Sequence, residues 1–186
     1  MKLIYSLCMS IMSLFACASS GNVKPDDEGI TDAMWNKVAE IQYSFGDASV
    51  VPECHRSYYI TVTKTEATIS ITSYGTELFR ETYKVTPEKW KKMIVALKKL
   101  NITHWEVNAE PCDGGQSEYV AFRSADKSEE PIFTGSQDTC GNSNMNVNFE
   151  AIPRALGVVF PKTIEELVDA TRDQVNNSYD EDEEEI

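Results

Sequence analysis

Residues 58–72, YYITVTKTEATISIT, decide the fold. Apolar and polar residues alternate in both halves of this stretch, which is typical of strands with one buried and one solvated face. A two-residue turn at Thr65-Glu66 would join the halves and pair Val62 with Ile69. The stretch therefore predicts an antiparallel hairpin. Its apolar positions are Tyr58, Ile60, Val62, Ile69 and Ile71.

The neighbouring segments add strands to this hairpin. Gly75 marks a turn into a further strand over Phe79–Val85. On the N-terminal side, a short helical stretch begins near Thr31. A strand follows it, in which three apolar residues alternate with polar ones: Ile41, Tyr43 and Phe45. The segment therefore predicts at least four strands before the first long helix.

The sequence contains N-terminal capping signals for two helices. At 86–88, a threonine N-cap precedes proline at the first helical position, and at 163–166 a capping box opens a C-terminal helix. Apolar residues then recur at helical spacing and should face the sheet. In the first helix they are Trp90, Met93, Ile94, Leu97 and Leu100; in the second they are Ile164, Leu167, Val168, Thr171 and Val175.

Grouped strands with helices set apart predict the α+β class. The expected architecture is an antiparallel sheet packed by one long amphipathic helix, with a C-terminal helix in addition.

Three cysteines remain for the folded domain once Cys8 and Cys17 are assigned to the N-terminal signal region. Two strand-like segments, Glu118–Phe122 and Pro131–Thr134, would form a hairpin in which Val120 faces Ile132. In that register Cys112 faces Cys140. We therefore predict a Cys112–Cys140 disulfide, which the chain-entropy model values at about 3–4 kcal/mol.

The N-terminus reads as an export signal. Lys2 precedes a thirteen-residue apolar run, Leu3–Phe15. This run is too short for a membrane-spanning helix of about 20 residues, but it fits the hydrophobic region of a signal peptide.

Two cleavage sites overlap after this run. Leu14-Phe15-Ala16-Cys17 resembles the bacterial lipobox, although Phe15 stands where a small residue is usual. We predict that Cys17 becomes the acylated first residue of a lipoprotein anchored in the bacterial cell envelope, in the outer membrane or facing the periplasm. The alternative is cleavage after Ala18, which would release a soluble secreted or periplasmic protein.

Composition agrees with one exported domain. The predicted organisation is a signal peptide at 1–16, a tether at 17–30, a single domain at 31–176 and an acidic tail at 177–186. The chain has 30 acidic and 17 basic residues and a net charge of −13. Such acidity argues against nucleic acid as a partner, because nucleic-acid binding needs a basic surface.

One segment resembles a protein family. Val51–Tyr58, VPECHRSY, which runs into YITVT at 59–63, is similar to small uncharacterised bacterial envelope lipoproteins. The helix start at 86–88 and the Cys140-Gly141 turn are similar as well, and the likeness spans roughly residues 40–160. The chain departs at Cys54, where an aromatic residue is expected. The resemblance implies envelope location and an α+β fold, and it attaches no activity.

No catalytic constellation is recognisable. Cys54 and His55 are neighbours on an extended segment, so their side chains should point to opposite faces. His104 could act as a base for Cys54, but no spacing supports that role. We expect Cys54 to be a buried or half-buried free thiol beside a structural histidine. A zinc site lacks the usual ligand spacing, so we predict no metal and no cofactor.

A lysine stripe stands out on the first long helix. Lys91, Lys92, Lys98 and Lys99 fall within an arc of about 120° opposite the apolar face. This stripe is a candidate binding surface for anionic lipid, an acidic partner or the acidic tail. The simpler interpretation is a solvated helix face.

Two functional classes follow. The preferred hypothesis is a membrane-tethered module that binds a protein or an envelope polymer without chemistry; an immunity protein or inhibitor is a narrower case. The alternative is an envelope hydrolase or thiol enzyme that uses Cys54 or a histidine.

Overall fold

The alternating segments of the sequence form an antiparallel sheet, and helices pack on one of its faces. The computed structural model describes residues 28–48, 50, 54–104, 114–147 and 150–171. The strands are β1 (Glu28–Gly29), β2 (Glu40–Asp47), β3 (Ser57–Thr63), β4 (Glu66–Ser73), β5 (Thr76–Lys84), β6 (Thr103–His104), β7 (Gln116–Arg123) and β8 (Phe133–Asp138). The helices are α1 (Asp32–Lys37), α2 (Pro87–Lys99), α3 (Ala151–Leu156), a 3₁₀ turn (Gly157–Val159) and α4, residues 164–171.

Six strands make the main sheet in the order β5-β4-β3-β2-β7-β8, and every neighbouring pair is antiparallel. β2 therefore lies inside the sheet, between β3 and β7. A separate ribbon pairs β1 with β6. β1 falls within residues 17–30, the range predicted as a tether.

The predicted α+β class with an antiparallel sheet is confirmed. The prediction of one long amphipathic helix is not, because the helices are short: α2 has 13 residues. Its apolar face is nevertheless placed as predicted. Met93 and Leu97 are fully buried, and Trp90, Ile94 and Leu100 pack against the core at partial burial.

The core lies between this helical layer and one face of the sheet. Alternate residues of the inner strands are fully buried there, as the row Ile60–Tyr43–Val120 illustrates. The helices contribute the opposing side chains, which are Trp35, Met93, Leu97, Ile152, Leu156, Val159, Ile164, Leu167 and Val168. Val175, also predicted to face inward, lies outside the described residues.

Threonine caps begin three of the helices. The hydroxyl groups of Thr31 and Thr86 accept hydrogen bonds from backbone N–H groups three residues later. At α4, Thr163 and Glu166 each accept a bond from the other's backbone N–H, which is the predicted capping box. These local signals were readable because each satisfies helix N–H groups that lack a partner in the helix.

The first hairpin has the predicted strands but a different register. Val62 pairs with Ala67 and not with Ile69, so the turn is Lys64-Thr65. The Thr63 hydroxyl fixes this turn because it accepts from the N–H of Glu66, at 3.1 Å. The shift is two residues, so every side chain keeps its predicted face.

In the second hairpin, the observed register differs from the predicted one by more residues than in the first. Val120 pairs with Gly135, whereas the sequence predicted Ile132 in that place. Residues 124–132 form a longer connection, in which the Asp126 carboxylate accepts from the N–H and hydroxyl of Ser128. Because this shift is three residues, it reverses the predicted faces of β8. The register also places Cys140 three positions beyond its expected alignment with Cys112.

Candidate functional site

The face of the sheet turned away from the helices forms the candidate site. It carries the residues that alternate with the buried core positions, and the two rows across its centre lie on β4, β3, β2, β7 and β8. We call this surface the hydroxyl face because eight of its ten residues carry a hydroxyl group. Its members are Gln42, Ser44, Tyr59, Thr61, Thr68, Ser70, Tyr119, Ala121, Thr134 and Ser136.

Two tyrosines stand on this face on either side of a serine. Ser44 on the inner strand β2 is paired with Tyr59 of β3 and with Tyr119 of β7. The tyrosines are 45% and 38% exposed, which makes them two of the four most exposed large apolar side chains among the described residues. Neighbouring strands lie about 4.8 Å apart, so the backbone positions of the two tyrosines are about 9.6 Å apart across Ser44.

The hydroxyl face contains no charged residue, and charged groups mark its borders. Beyond one end, Glu40 accepts from the Gln42 amide at 2.7 Å and pairs with Lys127 at 3.1 Å. Arg123 donates to the Gln42 carbonyl oxygen at 3.3 Å. The Gln42 amide is therefore held in one orientation from both sides. At the β5 edge, Glu77 bonds Ser70 and pairs with Arg80.

A polar cluster lies in the core, on the opposite side of the same strands. Glu118 is only 3% exposed, and it accepts from the Tyr43 hydroxyl at 2.6 Å and from the Gln137 amide. No ion pair to Glu118 is found within the part of the chain described. Burial raises the pKa of the Glu118 carboxyl above its ordinary value, and the two hydrogen bonds oppose that rise.

Burial also raises the pKa values of the tyrosines in this cluster. Burial raises the pKa of Tyr58 to about 12, and burial together with the neighbouring Tyr58 and Glu118 raises the pKa of Tyr43 further. Both hydroxyl groups therefore stay protonated at physiological pH and can donate hydrogen bonds. The cluster is a satisfied buried network beneath the site and does not open onto the hydroxyl face.

The histidine next to Cys54 is built into the fold. His55 is 6% exposed, stacks on the Tyr74 ring at 3.9 Å between centroids, and accepts the Tyr74 N–H through Nδ1 at 3.1 Å. A neutral ring that accepts at Nδ1 carries its proton on Nε2, which faces the Ser57 hydroxyl at 3.3 Å. In this tautomer His55 donates to Ser57 and cannot take its proton.

Arg56 ties the start of β3 to α4. Its guanidinium is buried and donates to the Thr171 hydroxyl at 2.9 Å, to the Thr171 carbonyl at 3.1 Å and to the His55 carbonyl at 2.6 Å. These contacts connect the start of strand β3 to helix α4. His55 and Arg56 are therefore both buried and hydrogen-bonded within the fold.

Cys54 is a free, exposed cysteine, so the expectation of a buried or half-buried thiol is wrong. Cys54 lies in a turn before β3 begins at Ser57, and there the chain buries the side chains of both His55 and Arg56 while Cys54 stays at the surface. The alternative base, His104, lies in β6, and the structure describes only its backbone.

Of the two cysteines in the predicted disulfide, Cys140 is among the described residues. Cys140 is disulfide-bonded, while Cys112 lies outside the described residues. The Cys112–Cys140 pairing thus stays a prediction, now without the direct cross-strand alignment on which it depended. Cys17, the predicted lipidation site, also lies outside the described residues, as do the signal peptide and acidic tail.

The lysine stripe is on the solvent side of α2. Lys91, Lys92 and Lys99 are exposed, whereas Lys98 is less exposed and pairs with Asp32 of α1 at 2.8 Å. This contact lowers the pKa of Asp32, chiefly through its hydrogen bond to Lys98. One of the four charges is therefore already matched within the domain.

A cavity of about 260 Å³ lies between the edge strand β5 and α4. Its walls are mostly apolar, with one carboxylate and one ammonium group at the rim: Phe79, Glu81, Tyr83, Pro161, Lys162, Leu167, Ala170 and Thr171. The described residues include no group of three or more histidine, cysteine or acidic side chains placed to hold a metal ion. No helix in the described ranges is long and apolar enough to cross a membrane.

No family model, curated protein or solved structure matches this chain. The resemblance to bacterial envelope lipoproteins therefore stays a prediction. What the domain does must be argued from its own surfaces.

Proposed function

We propose that the chain is an exported domain, tethered to the bacterial cell envelope through lipidated Cys17, that binds another macromolecule and performs no reaction. The observation that carries the proposal is the hydroxyl face. It lies at the centre of one side of the six-stranded sheet, and its ten residues include two exposed tyrosines and no charged side chain. Tyrosine and serine together are effective in recognition, because tyrosine gives a large rigid contact and serine gives adaptable hydrogen bonds.

The enzyme alternative has less support. A thiol enzyme needs a thiolate, a base within reach and a group that orients the base. His55 is buried while Cys54 is exposed, and the Nδ1 of His55 already accepts the Tyr74 N–H. Turnover by the purified domain that disappears in Cys54→Ser or His104→Ala would reverse this preference.

An immunity protein or inhibitor would need a different kind of binding surface. A protein that blocks a basic partner should bind it through acidic side chains, and the hydroxyl face has none. The face therefore favours a partner that is itself uncharged where the two meet.

Site-specific photo-cross-linking in the producing cell tests the proposal. A benzophenone amino acid at Thr61 or Ser136, both on the hydroxyl face, should give a macromolecular adduct that depends on ultraviolet light. The same probe at Glu165, an exposed position on α4, is the matched control and should give none. Equal adducts from all three positions, or none from the hydroxyl face, would refute binding through this surface.

A further inference from the structure

We propose that the macromolecule bound at the hydroxyl face is a neutral, extended, β-linked glycan, with sugar rings seated on Tyr59 and Tyr119. This inference rests on the proposed function and names its ligand class. The two exposed rings stand on either side of Ser44, in a single row across β3, β2 and β7. An open sheet face of this kind suits a chain that lies along it better than a small molecule that needs a pocket.

The chemistry of the face matches that of a sugar. A sugar ring has C–H groups on its faces and hydroxyl groups around its rim. An aromatic ring presents a negative π face to the C–H groups, and the tyrosine hydroxyl adds a polar end. Hydroxyl and amide side chains donate as well as accept, so they can pair with sugar hydroxyl groups in either sense. Thr61, Gln42 and Thr134 provide such groups in the row beside the tyrosines.

The charge distribution separates a neutral glycan from polyelectrolytes. The whole chain carries −13, yet its acidic and basic groups stop at the borders of the hydroxyl face. A polyanion would need cations on the face, and a basic partner would need carboxylates. Neither is present among the ten residues. A neutral polyhydroxylated chain needs neither.

The same face is a poor match for a protein. The buried centre of a protein interface is about 65% apolar. On the hydroxyl face the one aliphatic residue, Ala121, is fully buried, and the exposed apolar surface comes from tyrosines. A peptide cannot add as a strand there either, because β3, β2 and β7 are paired with neighbours on both edges. Strand addition would take place at β5 or β8.

The spacing of the two rings defines how the glycan would lie. Tyr59 and Tyr119 are two strands apart, about 9.6 Å. That separation is close to the length of two sugar units in an extended β-linked chain, so alternate sugars would stack on the tyrosines. The sugar between them would lie over Ser44, whose small side chain leaves room. The glycan would therefore run across the strands and not along them.

Isothermal titration of the purified domain with two neutral probes, hexa-N-acetylchitohexaose and cellohexaose, tests the inference. We expect saturable binding to at least one of them that changes little between low and high salt, because no charge pairs form. Tyr59→Ala and Tyr119→Ala should each weaken binding about tenfold or more, since one lost stacking contact of about 1.4 kcal/mol is a factor of ten. Tyr59→Phe keeps the ring and should stay within about threefold, less than one such step.

Tyr74→Ala is the matched control. Tyr74 is 55% exposed but lies in the β4–β5 turn, off the hydroxyl face, so this variant should bind like the wild type. Thermal unfolding of each variant shows whether it is folded.

Three results would overturn the inference: no binding to either neutral probe, binding that both tyrosine-to-alanine variants retain, or binding to dextran sulfate alone. If the neutral probes fail while the photo-cross-linker at Thr61 captures a protein, the ligand class is wrong and the proposed function survives. If both experiments fail, both are wrong.

Discussion

Glu118 is a buried carboxyl residue whose ionisation should affect the stability of the fold. Its carboxyl group is buried between Tyr43 and Gln137. The Tyr43 hydroxyl donates a hydrogen bond to one carboxyl oxygen, and the Gln137 amide donates one to the other. Burial raises the pKa of Glu118 in the folded protein. The folded state consequently holds this proton more tightly than the unfolded chain does, and the protonated form is the one that folding favours.

Replacing Glu118 by Gln should therefore change how stability depends on pH. With a raised folded-state pKa, the contribution of Glu118 to the free energy of unfolding is full below its ordinary pKa of 4.5 and is lost as pH rises through the folded-state pKa. Glu118→Gln cannot ionise, so the wild type should lose stability relative to this variant as pH rises from 4.5. Urea unfolding at a series of pH values measures this difference.

Glu130→Gln serves as the control, since Glu130 is an exposed residue of the β7–β8 connection. It shows what a carboxyl-to-amide substitution at an exposed position does in the same series of measurements. A Glu118→Gln difference that is flat, or in which the wild type gains stability as pH rises, would contradict the raised pKa.

Cys54 offers a second test at a single residue. Because its thiol is free and exposed, we expect a maleimide reagent to label it in the folded protein without reductant. Cys54→Ser should remove the label and shift the melting temperature little, as surface substitutions usually change stability by about 0.5 kcal/mol or less. Peptide mapping of the labelled protein should also recover Cys112 joined to Cys140. A disulfide that contains Cys54 would contradict both statements.

At the scale of the elements, the sequence was most informative where a signal is local. The strand pattern of 58–72, the turn at Gly75 and the threonine caps each depend on a few neighbouring residues, and each is present as predicted. The Tyr74-Gly75 turn illustrates why. Both residues have positive φ, 44° and 88°, which is the two-residue turn that matches the twist of a hairpin and favours glycine.

Strand register could not be read from the same pattern. Alternation repeats every two residues, so shifting one strand by two leaves each face unchanged, as in the first hairpin. In the second hairpin the length of the connection between β7 and β8 determined the register. The prediction began β8 at Pro131, but Ile132 closes the connection by donating to the Phe122 carbonyl, and β8 begins at Phe133.

The hydroxyl face was missed for a related reason. The polar positions Tyr59 and Thr61 were visible as the solvated side of a strand. Their relation to Tyr119 depends on β2 lying between β3 and β7, a long-range pairing that no local pattern encodes. A site that joins β2 and β3 to the distant strand β7 therefore needs the sheet order before it can be recognised.

Gly135→Ala tests the register of β7 and β8. In the observed register Gly135 is on the core face, and an added Cβ would lie 2.8 Å from the Met145 sulfur and 3.1 Å from the Phe133 ring. We expect this overpacking to lower the free energy of unfolding by about 1–3 kcal/mol. In the register predicted from sequence, Gly135 would face outward and alanine would be tolerated.

Gly157→Ala is the matched control for that substitution. Nothing lies within 4 Å of a Cβ at this position, and its φ of −53° suits any residue. Alanine there should leave stability unchanged or raise it by about 0.4–1 kcal/mol. Equal effects of the two substitutions, measured by urea unfolding, would contradict the observed register.

At the scale of the whole molecule, the two sides of the sheet differ in character. The helical layer covers one side and carries the lysine stripe on α2, while the other side has the uncharged hydroxyl face at its centre and charged groups at its borders. A tethered domain with such sidedness can face its partner with one surface while the other meets solvent, the membrane or a neighbour. Its attachment and the role of the stripe can be tested separately.

The proposed attachment to a membrane depends on Cys17. Cys17→Ser removes the thiol that acylation requires, so the protein should move from the membrane fraction to the soluble fraction. Incorporation of labelled fatty acid should stop at the same time. Several acyl chains are needed for firm anchoring, because a single chain binds a membrane only marginally. A mature protein that begins at Ser19 by mass spectrometry, without a lipid, would contradict the lipoprotein prediction.

The lysine stripe should behave as a solvated helix face. Lys98 is already paired with Asp32, and the chain as a whole carries −13, so anionic surfaces are repelled at long range. Replacing Lys91, Lys92, Lys98 and Lys99 together by Gln keeps helix propensity and removes four charges. We expect the stability to change little, because exposed charges contribute about 0–1 kcal/mol each, and co-sedimentation with anionic vesicles to be unchanged. Deleting residues 180–186, the acidic end of the tail, is the companion variant. If that deletion strengthens vesicle binding at low salt and the four glutamines abolish it, the stripe is a binding surface that the tail covers, and this prediction is wrong.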